Sequence, residues 1–198
     1  FGPEHGIRGD AADGEKVGGG RDSRTGVPVH SLYGQTRQPT PEMLKGIEVM
    51  LFDIQDVGVR FYTYLYTMSL AMEACAAQGI PLVVLDRPNP LGGIVLEGNL
   101  LDPAFASFVG KYPIPVRYGM SVGELARFFK GEYGIGVELK VVALRGWFDK
   151  RAEATASALP VRLGGYGTSG TGGSAKGFDQ PLFWVVAALL LWGLVMVY

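Results

Sequence analysis

The chain has 198 residues, with 18 Lys and Arg against 19 Asp and Glu, a formal net charge of −1. That length suits one ordinary domain, or one domain plus a tail. Near-neutral charge without a basic run argues against a nucleic-acid binder held by phosphate contacts, and 47% hydrophobic residues exclude a disordered chain. A single cysteine, Cys75, excludes an internal disulfide framework and a Cys-rich zinc site. With only His5 and His30 as histidines, a His-based metal centre is not expected.

In chain order, FGPEHGIRGD opens without a methionine or a leader of basic, apolar and small-residue parts. It reads as a cut end, the close of a strand running into a loop. Residues 10–40 are polar and Gly-rich, with a short extended piece at Val27–Leu32 before a turn at Tyr33-Gly34. Thr40-Pro41-Glu42 predicts a helix start, with a capping hydroxyl, a first-turn proline and an acid near the dipole; Gly46 stops it early. Val49–Ile54 is an apolar run of strand length, of the kind expected where both faces of a sheet are covered. From Tyr62 to about Gln78 the period becomes helical. Leu65, Met68, Met72 and Cys75 share one face and Gly79 closes it, so Cys75 reads as a core residue. Pro81–Asp86 is a second buried-type strand, which completes a βαβ unit with a parallel pair.

Arg87–Met120 is a long irregular stretch with five prolines, the kind of segment that shapes a site. Ser121-Val122-Gly123-Glu124 is a capping box for a helix striped by Val122, Leu125, Ala126 and Phe129. Glu138–Val142 is a third strand. The C-terminal quarter differs in character. Residues 164–177, GGYGTSGTGGSAKG, hold seven glycines and read as a flexible linker. Leu182–Tyr198 is seventeen residues without a charge, which reads either as a short membrane helix or as an apolar helix buried elsewhere. The expected organisation is an α/β parallel-sheet domain over 1–150, a linker over 151–181 and an apolar helix over 182–198. Gly165-x-Gly167-x-x-Gly170 matches a dinucleotide pattern in letters only, since no strand precedes it and no helix follows.

In an open parallel sheet, ligands bind outside the carboxyl ends of the strands. Three polar clusters belong there: Asp53, Gln55, Asp56 and Arg60 after the first strand; Asp86, Arg87 and Asn89 after the second; Glu4, His5 and Arg8 at the start. Each has a structural alternative, in which Asp53 and Asp86 cap turns or pair with Arg60 and Arg87. Tyr62 or Tyr64 either offers a ring and hydroxyl to a sugar or packs the helix start. The chain has no P-loop, no H-E-x-x-H and no G-x-S-x-G, so this inventory supports acid/base work by carboxylates.

The strings themselves carry a resemblance. FGPEHGIRGD (1–10), TGVPVHSLYG (25–34), LFDIQDVGVRFYTY (51–64), LDRPNPLGG (85–93), Glu97-Gly98 and VRYGMSVGE (116–124) resemble the exo-acting β-N-acetylmuramidases of glycoside hydrolase family 171, the NamZ type, in order over roughly residues 1–147. The resemblance implies a bacterial cell-wall enzyme, usually secreted or periplasmic. Such enzymes release N-acetylmuramic acid from the non-reducing ends of peptidoglycan fragments, in the cleft of a Rossmann-like domain, with no nucleotide or metal. It implies that Glu4, in GPEHG, is the general acid, and that His5, Arg8, Asp53, Asp56, Arg60, Tyr62, Arg87 and Asn89 line the substrate site. Arg60 is the first choice to fork onto the lactyl carboxylate. The second catalytic group stays open between Asp53, Asp56 and the substrate's own acetamido group. The family has a strand and helix ahead of FGPEHG, and its pattern stops here after Arg145-Gly146-Trp147, so the expected domain is incomplete. The alternative is a non-catalytic sugar-binding module tethered to a membrane through 182–198.

Overall fold

The computed structural model describes residues 1–4 and 18–147. His5, Arg8, the Gly165–Gly170 motif, the linker 151–181 and the apolar segment 182–198 therefore lie outside the described residues. Among those described, no helix is long and apolar enough to cross a membrane.

A small hairpin comes first, β1 (Gly20–Arg21) against β2 (Pro28–Val29). Beyond it Gly2 bridges in parallel to Ser31, with its N–H on the His30 carbonyl at 2.8 Å, so the opening residues do end in strand pairing. The predicted helix at Thr40 is instead one closed turn. Thr40 Oγ1 accepts the Met43 N–H at 3.4 Å, and Leu44 N–H reaches the carbonyls of Thr40 and Pro41. The cap forms but the helix does not propagate, because Gly46 turns to φ 79° before a second turn can offset the cost of nucleation.

The main sheet is three parallel strands, β3 (Met50–Phe52), β4 (Leu82–Leu85) and β5 (Leu139–Val142), in the order β3-β4-β5. The crossovers are α1 (Tyr64–Gln78) and α2 (Val122–Glu132). This is the mixed α/β, Rossmann-like arrangement that the apolar runs predict. The strand expected to be covered on both faces is not: Met50 and Phe52 are buried, whereas Leu51 is 63% exposed. Crossovers of the usual right hand that advance in the same direction put both helices on one side of the sheet, and among the described residues Leu51, Lys140 and Val142 are exposed on the other.

Helix α1 is buried more widely than its Leu65–Met68–Met72–Cys75 stripe predicts, because the 108–118 segment closes over its flank. Tyr66 packs beside Phe108 and Tyr112, and Ser69 Oγ lies 2.7 Å from the Tyr112 hydroxyl. Cys75 is a core residue as expected. It is fully buried with Sγ 3.7 Å from Met50 Sδ, and burial pushes its thiol up to about 11.

The predicted capping box starts α2: Ser121 Oγ accepts the Glu124 N–H, and Glu124 Oε2 accepts the Ser121 N–H at 2.8 Å. Asp86, at the end of β4, adds a second lock by accepting Ser121 Oγ at 2.9 Å and the Gly123 N–H at 2.7 Å. Of the two roles open to Asp86, capping is the one observed. Replacing Asp86 with alanine strands both buried donors. It should lower stability by about 2–4 kcal/mol, read as an earlier urea midpoint with an unchanged slope.

Candidate active site

The loop from Asp53 to Thr63 and the one from Asp86 to Leu91 both leave the carboxyl ends of parallel strands, where an open sheet presents its crevice. Glu4 arrives at the same edge. Its Oε2 accepts a 2.9 Å hydrogen bond from Thr63 Oγ1, and Thr63 is the N-cap residue of α1. A threonine there ordinarily turns its hydroxyl onto the first helical N–H groups. Here no such cap bond forms, and the hydroxyl holds the carboxylate at the positive end of a 15-residue helix. Among the described residues Glu4 makes no second hydrogen bond.

Tyrosines surround this carboxylate. The Tyr33 hydroxyl lies 3.2 Å from Thr67 Oγ1, one turn along α1 from Thr63, and Tyr62 stands edge-on to Tyr64 at 4.7 Å. Burial raises the hydroxyls of Tyr33, Tyr62 and Tyr64, and the negative charge of Glu4 adds to each shift. For Tyr62, pushed up to about 12, the charge of Asp56 contributes as well. Glu4, Tyr62 and Asp56 thus share one electrostatic neighbourhood, although 52 positions separate the two carboxyls in the chain. The tyrosines stay neutral hydrogen-bonding rings, suited to a polyhydroxylated sugar rather than to a proton-transfer role of their own.

Asp56 is 5% exposed. Its Oδ2 accepts the Gly58 N–H at 3.0 Å, while Oδ1 has no partner among the described residues. Burial pushes the carboxyl up to about 7, against the pull of the Gly58 and Val57 N–H groups. Because the folded value lies above the unfolded one, this group's burden on the fold is absent at acid pH. It grows as pH rises from about 4 and is complete above about 7. Asp56→Asn removes the charge and can keep the bond to Gly58. Its thermal stability should overtake the parent's increasingly between pH 5 and pH 7, by about 1–3 kcal/mol, and a constant gap across that range would refute a titrating Asp56.

The other predicted residues divide between rim and scaffold. Asp53 Oδ1 receives Arg87 through Nε at 2.7 Å and Nη2 at 2.6 Å, a half-exposed pair joining the ends of β3 and β4. Gln55 Nε2 adds a 2.9 Å bond to the Pro88 carbonyl. Asn89 is buried between the loops: its Oδ1 accepts the Leu91 N–H and its Nδ2 donates to the Met120 carbonyl at 3.0 Å. Arg60 directs Nη1 to the carbonyls of Asn99 (2.6 Å) and Ile114 (2.7 Å), and so braces the irregular 99–116 stretch. Among the described residues no hydrogen bond links Asp53 or Arg87 to Glu4, and no cluster of His, Cys, Asp and Glu is arranged to hold a metal ion. Sequence reasoning did not single out Tyr33, Thr63 or Thr67. Tyr33 lies inside the TGVPVHSLYG string, but a contact between residues 4 and 63 leaves no periodic trace.

Comparison with known proteins shows which family the chain belongs to. The family model described as "Exo-beta-N-acetylmuramidase NamZ, N-terminal" matches residues 1–159. The peptidoglycan beta-N-acetylmuramidase NamZ of Bacillus subtilis (strain 168) is 60% identical over 147 residues, which cover 74% of this chain and 36% of that protein. Two crystal structures of DUF1343 family proteins from Bacteroides fragilis NCTC 9343 are also similar. One has TM-score 0.68 at 50% identity, covering 74% of this chain and 37% of that one. The other has TM-score 0.59 at 40% identity, covering 64% and 35%. The chain thus spans little more than a third of the length of the relatives it matches. With GPEHG, its Thr63-held glutamate and the two loops that frame it all inside the matched residues, the chain belongs to the NamZ N-terminal family.

Proposed function

We propose that this chain supplies the acid-catalytic part of an exo-β-N-acetylmuramidase, which releases N-acetylmuramic acid from the non-reducing ends of peptidoglycan fragments. The observation that carries the reading is Glu4. It is a half-buried carboxyl with one oxygen fixed by Thr63, set among tyrosines at the carboxyl edge of a parallel sheet. The named activity of the Bacillus subtilis relative supports it.

In this mechanism Glu4 gives its proton to the departing glycosidic oxygen while a second group acts at the anomeric carbon from the opposite face. Tyr62 and Tyr33 offer rings and hydroxyls to the sugar, and the charges of Asp56 and Glu4 both act on Tyr62. Asp53 is already paired to Arg87. An extracellular or periplasmic location is the one this reading favours. The reading rests on the described residues and requires neither the linker nor the apolar segment.

The test is turnover of a muramyl-terminated chromogenic glycoside by the full chain beside Glu4→Gln. Release by the parent and its loss in the variant supports the reading. Saturable binding without release favours the sugar-binding module, a reading to which the chain's share of its relatives' length gives weight.

A further inference from the structure

Taking the muramidase reading as its basis, a substrate that carries a carboxylate beside the scissile sugar calls for a cation near Glu4 whose charge is not already spent. Among the described residues, Arg60, Arg87 and Arg117 already have partners. Arg60 Nη1 serves the carbonyls of Asn99 and Ile114. Arg87 is neutralised on Asp53 at 2.6 Å. Arg117 is paired with Glu97 at 2.7 Å and bound to the Leu91 carbonyl.

Arg37 differs. It is exposed, and among the described residues no carboxylate lies within ion-pair distance of it. Its guanidinium sits 4.0 Å above the centre of the Phe108 ring. Phe108 in turn packs edge-on against Tyr33 at 5.5 Å, and the Tyr33 hydroxyl meets Thr67, one turn from the threonine that holds Glu4. The charges of Arg37 and Glu4 both act on that hydroxyl, with opposite sign.

We propose that Arg37 is a specificity-determining residue, which binds the lactyl carboxylate that distinguishes muramic acid from glucosamine. The cation–π contact with Phe108, 4.0 Å from the ring centre, holds the guanidinium in place. The in-plane N–H groups are left free to fork onto a carboxylate. An ammonium cannot reproduce both contacts, and a sugar without the lactyl group offers nothing to pair.

The experiment compares the muramyl glycoside with its lactyl methyl ester in the parent chain, Arg37→Ala and Arg37→Lys. With the free acid, Arg37→Ala should raise KM about 10–100-fold and leave kcat within about twofold. With the ester, parent and variant should agree. The acid's KM should rise with salt in the parent and not in Arg37→Ala, and Arg37→Lys should recover only part of the loss. Equal effects on acid and ester, or none on either, overturn the proposal while the glycosidase reading stands. If the parent releases no chromophore, the same pair is read by ligand-induced thermal shift. An acid-over-ester preference that Arg37→Ala abolishes then upholds the anchor while the catalytic reading falls. Parent binding of neither saccharide, or of both alike, overturns the anchor.

Discussion

Replacing Glu4 with glutamine should lower kcat by about 10²–10⁴-fold and leave KM within a few-fold. The amide keeps the length and planarity of the carboxyl, and its carbonyl can still accept the Thr63 hydroxyl in the bond that spans 2.9 Å in the parent. What disappears is the proton that must reach the leaving oxygen. Stability should therefore hold within about 1 kcal/mol, since Glu4 makes one part-buried hydrogen bond. The loss should also depend on the leaving group. A nitrophenolate departs with little protonation, whereas the sugar alcohol of a natural disaccharide needs it, so the variant should suffer more on the disaccharide. An equal loss on both substrates would show that Glu4 is not the acid, whatever its effect on rate.

Substituting Gly58 with alanine should destabilise the domain by about 3–5 kcal/mol, from loss of a left-handed backbone position and of two hydrogen bonds. Gly58 has φ 85°, which a side chain disfavours, and a Cβ there would stand 2.2 Å from Asn89 Oδ1. That oxygen cannot retreat cheaply. It accepts the Leu91 N–H at 2.9 Å while the same amide donates to Met120, so the added methyl pushes out the link between the first site loop and the second. The cost should appear as a much earlier denaturation midpoint. Pairing it with Asn89→Ala separates the causes, because removing the obstruction leaves only the backbone penalty. The double variant should then lose clearly less than the sum of the two single losses. Strict additivity would place the damage elsewhere.

The sequence alone determined the local elements of this domain. Apolar runs located β3, β4 and β5, the Ser121–Glu124 box located the start of α2, and Gly79, at φ 64°, located the end of α1. These signals are readable because each depends on residues within a turn or two of one another. The GPEHG string likewise pointed to Glu4. Only the tertiary structure decided which polar residues at the rim hold it together. Asp86 caps a helix start 35 residues on, Arg60 braces carbonyls 39 and 54 residues on, and Thr63 gives its hydroxyl to Glu4 across 59 residues instead of to its own helix. Among the described residues it also left Leu51 exposed where the apolar run at Val49–Ile54 predicted cover on both faces. The reason is the same in each case. A hydrogen-bond partner or a covering helix is assigned by proximity after folding, and proximity across tens of residues is set by strand order and crossover direction, neither of which leaves a mark in local spacing.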